Sequence, residues 1–164
     1  MRRTSLVSIL VFVAGLGIGF FTRSAYTVLL QRRTHAADLA AIEKLHQEDI
    51  KTTLTQDPKG LVNIWADDAV RINPGSPPEV GKEAIGVVNE KVHAQYPDFK
   101  VLSYSTEYKN LQIEDGLACE WGEHKGVYKL SPDAAQASFD ATGIHVLKRQ
   151  NDGSWKFALI ILQP

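Results

Sequence analysis

Cysteine is almost absent from this chain: Cys119 is the only one in 164 residues. No intrachain disulfide can form, and a four-cysteine zinc site is excluded. A single thiol fits either side of a membrane, so the redox compartment stays open. Net charge is nearly absent too. Eighteen Lys and Arg against 19 Asp and Glu leave -1, which gives no broad field to attract nucleic acid. Arg32-Arg33 is too short for a phosphate-binding patch. The five histidines show no metal-ligand spacing such as H-E-x-x-H. His46 with Asp49 and His145 is the nearest approach to a metal set, and it matches no usual ligand motif. A glycine-rich phosphate loop and a Gly-x-Ser-x-Gly nucleophile turn are both missing. The sequence therefore gives no reason to expect a metal, a cofactor or a nucleic-acid partner.

Charge is also lacking locally, from Thr4 to Thr22. Leu6 to Ala14 is apolar but for Ser8, and Gly15, Gly17 and Gly19 lead to Phe20 and Phe21. About 18 to 20 apolar residues cross a bilayer as a helix. Residues 5–22 are thus expected to contact a membrane as an anchor. A cleaved signal peptide is the alternative reading, with Gly17-Ile18-Gly19 a poor cleavage point and Thr34-His35-Ala36 too far along. Arg2-Arg3 hints at twin-arginine export without the bulky residues expected after the pair. Arg2 and Arg3 favour a cytoplasmic N-terminus and a domain outside the cytoplasm, while Arg23, Arg32 and Arg33 argue the other way. Residues 1–35 are read as anchor or signal plus basic linker, and 36–164 as one domain, membrane-anchored by a single pass or exported.

Within that domain the apolar period is helical first. Leu39, Ile42, Leu45, Ile50 and Leu54 make one stripe over 36–56. Asp57-Pro58 caps a second short helix, with Leu61, Val62, Ile64 and Trp65 on its apolar side. Ala69 to Ile72 is a short strand, 76–81 is loop, and Lys82 to Gln95 is a third helix. After Pro97 the period becomes two, predicting strands at 99–107, 110–115, 117–129, 137–149 and 154–162. Asp115-Gly116 and Asp152-Gly153 are hairpin turns. Helices followed by a run of antiparallel strands make an α+β fold, a curved sheet with helices on one face.

Three stretches, in this order and spacing, carry a resemblance: Trp65 to Gly75, Gly81 to Ile85, and Gln150 to Lys156. With the helix-first order, residues 36–163 resemble the SnoaL-like domains of the ketosteroid isomerase and nuclear transport factor two-like superfamily. That resemblance implies a cone: a strongly bent, mostly antiparallel sheet around a long N-terminal helix, with a pocket at the open end. It also implies a homodimer through the outer sheet face. The superfamily holds isomerases, cyclases, dehydratases and domains without known activity, so fold alone assigns no reaction.

The first helix supports a pocket independently. His46, Asp49 and Thr53 share the direction of its apolar stripe, and buried polar groups need partners or a cavity. The three places used by ketosteroid isomerases fall on Asp49, Asn73 and His145, none of which is the isomerase residue. An amide at Asn73 cannot serve as a carboxylate base. If there is catalysis, His145 is expected to act as general acid or base, with Asp49 orienting it or acting as base itself. Trp65, Trp121 and Tyr128 are expected to wall the pocket or reach its rim. Glu120 and Glu123 point to opposite faces of one strand, so at most one faces inward. Leu159 and Ile160 stand where relatives often carry an Arg-Asp pair. That makes the pocket greasier and leaves both faces of the last strand apolar, which suits burial by a partner. Three functions follow: a tethered module binding a small apolar molecule, an isomerase, cyclase or hydratase using His145 and Asp49, or an assembly domain. A pocket well under about 300 Å3 favours assembly.

Overall fold

The computed structural model describes residues 34–164. The hydrophobic segment expected over residues 5–22 lies outside them. Among the described residues no helix is long and apolar enough to cross a membrane. The chain divides into Met1–Leu39 and a compact unit, Ala40–Pro164, which is described below.

Residues 34–55 are helical (α1). Its buried positions include Ile42, Leu45, His46, Asp49 and Thr52. That face is turned from the expected stripe: Leu54 is 38% exposed and Thr52 is fully buried. Polar residues sit inside because the sheet offers them partners, which periodicity of apolar residues cannot show. Gln56 adopts φ 53, the left-handed conformation that ends many helices. Asp57 then caps α2 (Pro58–Asn63), accepting from the Lys59 amide.

Strand β1 (Trp65–Ile72) begins four residues before the expected Ala69. Trp65 is therefore on a strand, not on α2. It pairs with Phe157 of the final strand, and that partner supplies the extended geometry. Pro74-Gly75 turns the chain, with Gly75 at φ 72. Glu79–Val80 forms a short strand, β2, on β1 instead of the expected loop. The cross-strand pair Arg71–Glu79 holds it there. Helix α3 (Lys82–Gln95) follows as expected, with Ile85 fully buried.

The two strands expected at 99–107 and 110–115 are one, β3 (Lys100–Glu114). Asn110 has φ 56 and the register shifts between Lys109 and Gln112. A bulge, not a chain break, sits there. β4 (Leu117–Lys129), β5 (Ala137–Arg149) and β6 (Trp155–Gln163) match their predicted spans to within one residue. The sheet order is β2-β1-β6-β5-β4-β3. It is mixed, since β1 and β6 run parallel and the other pairs antiparallel. The core joins Ile42 and Leu45 of α1 to Ile64, Trp65, Leu147 and Phe157. The architecture is thus α+β, with helices packed against a six-stranded sheet.

Candidate functional site

Alternation along β4 sets the site. Ala118, Glu120, Gly122, His124 and Gly126 are buried, while Cys119 and Lys125 are exposed and Trp121 and Glu123 are half-buried. The even positions face α1 and the odd ones face away. On β5 the matching inward row includes Gly143, His145 and Leu147. These rows and α1 enclose a polar cluster at one end of a cavity of about 170 Å3.

Asp49, Tyr104 and His124 form the polar wall of that cavity. Leu61, Ile64, Trp65, Phe157, Ile160 and Leu162 are its apolar lining, and Thr53 also lines it. Arg71, Asn73 and Asn89 close the third side. There Arg71 Nε donates to Glu79 at 2.8 Å and Nη2 to Asn89 at 2.9 Å. Asn73 donates to the same Glu79 carboxylate at 3.3 Å. The guanidinium charge is thus already matched, so this side offers neutral polarity to a ligand rather than a bare cation.

Asp49 is the centre of the cluster's hydrogen bonds at the cavity wall. Its Oδ2 accepts from the Tyr104 hydroxyl at 3.2 Å and the Tyr108 hydroxyl at 3.1 Å. Oδ1 accepts from no donor among the described residues. Burial pushes the Asp49 carboxyl up to about 6, against the downward pull of Tyr108, Tyr104 and His46. Burial and the Asp49 charge raise both tyrosines, which keeps them protonated as donors. Within this wall, the Tyr104 oxygen lies 2.9 Å from His124 Nδ1. His124 Nε2 lies 3.0 Å from His145 Nε2, so one ring donates to the other. Burial lowers His124 to about 4; burial, then His124 and His46, lower His145 to about 3. Both rings are neutral at pH 7.

Of the residues expected at the pocket, Asp49, Thr53, Trp65 and Asn73 line one cavity. His46 stands behind it, donating to Glu120 across 2.7 Å and stacked on Tyr108 at 3.6 Å. His145 has no exposed surface and does not line the cavity; it meets the lining residues His124 and Phe157. Asp49 and His145 are therefore linked through Tyr104 and His124 rather than paired. Trp121 is on the other face of the sheet, beneath the Lys109 ammonium at 4.9 Å. Tyr128 lies farther along β4, against Phe99 and Phe139. Of Glu120 and Glu123, Glu120 is inward and Glu123 pairs outside with Lys109. Sequence reasoning missed Tyr104, His124, Arg71 and Asn89. His124 was legible: it continues the inward row of Glu120 at the same period of two.

Among the described residues no group of three or more His, Cys, Asp or Glu is placed to hold a metal ion. Larger clefts open elsewhere, among them ones of about 470 and 720 Å3 beside the Asp152-Gly153 turn and beside the start of α3. The smaller cavity is the one that meets the buried acid–base cluster.

No family model matches the sequence, and no curated protein does. Solved structures do resemble the fold. A ketosteroid isomerase-like protein from Erwinia carotovora atroseptica is 21% identical, with a TM-score of 0.65 over 77% of this chain and 98% of that one. A candidate dehydratase of the NTF2-like family from Streptomyces avermitilis is 13% identical, with a TM-score of 0.65 over 77% of this chain and 96% of that one. A type 2 hexachlorocyclohexane dehydrochlorinase is 19% identical, with a TM-score of 0.64 over 80% of this chain and 88% of that one. With its α+β order and mixed six-stranded sheet, the chain therefore has the fold of the ketosteroid isomerase-like and nuclear transport factor two-like proteins.

Proposed function

We propose that the domain takes a compact, largely apolar molecule into the 170 Å3 cavity and moves a proton to or from carbon through Asp49. The observation that carries this is Asp49 itself: a buried carboxyl at the cavity wall, raised to about 6, with one oxygen held by two tyrosines. A base poised near the working pH is the most effective kind. The volume suits a single ring, since a cavity of roughly 150 Å3 accepts benzene. The names of two structural neighbours, a dehydratase and a dehydrochlorinase, denote eliminations. In such a reaction a base removes a proton as a leaving group departs. Asn73 offers no base here, and His145 is sealed away, so Asp49 takes that role with His124 behind it. The segment at residues 5–22 would hold this chemistry at a membrane or send it for export.

The test needs no natural substrate. Compact cyclic ketones bearing an α-proton are incubated with the protein in D2O and deuterium uptake is followed by NMR. Wild-type protein is expected to catalyse exchange, with a rate that rises with pH through about 6. Asp49→Asn is expected to lower it by about 100-fold or more. Equal rates for the two proteins would overturn the reading.

A second reading, assembly, is favoured by the small volume and by the outer sheet face. Trp121, Ile144 and Ile161 are neighbours in register across β4, β5 and β6, as are Cys119, Val146 and Leu159. Leu117 and Ile144 are about half exposed, at 51% and 50%. A continuous apolar row on an open face suits a second copy of the chain. Native mass spectrometry is expected to give twice the chain mass, and Trp121→Glu to return it to one. A wild-type monomer would exclude this reading and leave the first intact.

A further inference from the structure

Behind the cavity, two buried polar atoms lack any hydrogen-bond partner although they belong to residues paired across β4 and β5. They are His145 Nδ1 and Glu120 Oε2. Unpartnered buried polar atoms are costly and call for a reason. The row they end is otherwise continuous. Asp49 Oδ2 meets the Tyr104 hydroxyl at 3.2 Å, and that oxygen meets His124 Nδ1 at 2.9 Å. His124 Nε2 meets His145 Nε2 at 3.0 Å, and His145 Nδ1 stands 3.8 Å from Glu120 Oε1.

We infer that Tyr104, His124 and His145 relay a proton between Asp49 at the cavity and Glu120 sealed behind it. This rests on the reading of Asp49 as proton acceptor. The step balances as follows. Asp49, having taken a proton, passes it to the Tyr104 oxygen as the Tyr104 proton moves to His124 Nδ1. The His124 Nε2 proton moves to His145 Nε2, and the His145 Nδ1 proton moves to the Glu120 carboxylate. Asp49 ends ionised, Glu120 ends protonated, and both rings end neutral in the opposite tautomer. One link exceeds hydrogen-bond length, and a swing of the Glu120 carboxyl toward the orphaned Nδ1 closes it.

The backbone is cut for this pair of rings. Gly122 and Gly143 face each other in register. A Cβ on Gly143 would lie 2.6 Å from His145 Nε2 and 2.8 Å from His124 Nε2. One on Gly122 would lie 3.2 Å from His145 Cε1. Glycine inside a strand weakens it, and here it opens the volume where the two imidazoles meet. Neutral rings are what such a relay requires, because each carries one N–H and one lone pair. The surrounding groups are few. His46 of α1 donates to Glu120, Tyr108 of β3 donates to Asp49, Thr106 of β3 lies 3.1 Å from His124 Nδ1, and β6 sets the apolar Phe157 and Ile160 beside His145. Among the described residues no lysine or arginine bonds to any member of the row. The relay holds the proton on Glu120 while product departs; the reverse shuttle along the same row returns it to Asp49 and the emptied cavity and restores both tautomers, a delay that an elimination uses and a simple isomerisation does not.

The full chain, labelled with 15N-histidine, is followed by NMR from pH 5 to pH 8. His124 and His145 are expected to switch between their two neutral tautomers together, with one midpoint. In Glu120→Gln, which cannot take the proton, the coupled tautomer switch is expected to be lost. Tautomers that stay fixed in the wild type overturn the relay, as does a switch that survives in Glu120→Gln. Should that variant not fold, the wild-type measurement alone decides. Loss of exchange chemistry in the ketone assay strikes the reading of Asp49 instead, so the two failures are distinguishable.

Discussion

Replacing Phe157 by alanine is expected to lower the unfolding free energy by about 3–5 kcal/mol, the cost usual for removing a buried ring. The ring is 1% exposed and is among the largest fully buried side chains. It touches Trp65 at 5.8 Å and His145 at 5.8 Å between ring centroids. It also forms part of the cavity wall, so the space left behind joins an existing void and the neighbours have little reason to collapse into it. Its amide donates to the Ile64 carbonyl at 2.9 Å, which ties β6 to the start of β1 whatever the side chain. The variant should therefore keep its topology and lose stability. Urea unfolding followed by far-ultraviolet circular dichroism measures the loss. A change below about 1 kcal/mol would mean the site repacks, against the usual behaviour of rigid cores.

Acid is expected to unfold the domain well before the exposed carboxylates account for it. Unfolded, His124 and His145 titrate near 6.5; folded, they are lowered to about 4 and about 3. Asp49 runs the other way, from 3.8 unfolded to about 6 folded. Between pH 6.5 and 6 the unfolded chain binds two protons that the folded chain refuses. Between pH 6 and about 4 the folded chain gains one on Asp49, leaving a net difference of one. Each proton is worth about 1.4 kcal/mol per pH unit. Stability is thus expected to fall as pH drops from 6.5, by roughly 4 kcal/mol in all by pH 4. Asp49→Asn removes the offset, so its slope below pH 6 should be about twice that of the wild type. Denaturant titrations at half-unit pH steps test both. Identical slopes in the two proteins would show that Asp49 does not titrate in this window.

Much of the scaffold was legible before any coordinates. α1, the Asp57 cap, α3, and the spans of β4, β5 and β6 follow from period and turn chemistry. What failed was whatever a distant partner decides. Trp65 is extended because Phe157 lies beside it. Glu79 joins a strand because Arg71 meets it. The gap expected between the strands at 99–107 and 110–115 is a bulge, since the left-handed backbone at Asn110 leaves the pairing on either side intact. At the site, Asp49 is expected from its place on an inward helix stripe, and His145 only through the family resemblance. Depth was not readable. Only the packing shows that His145 is a row behind the cavity, that Trp121 is on the far face, and that His124 stands where His145 was expected.

The parallel pairing of β1 with β6 has a consequence for how the chain is made. β6 lies between β1 and β5 in the sheet, yet of all the strands it is the last to be synthesised. While the ribosome is still adding residues before Trp155, β1 and β5 each expose an unpaired edge, and Ile64 and Trp65 have no Phe157 to cover them. Pairings this distant in sequence form slowly, and open edges invite association. The nascent domain would therefore remain unclosed until β6 had cleared the exit tunnel.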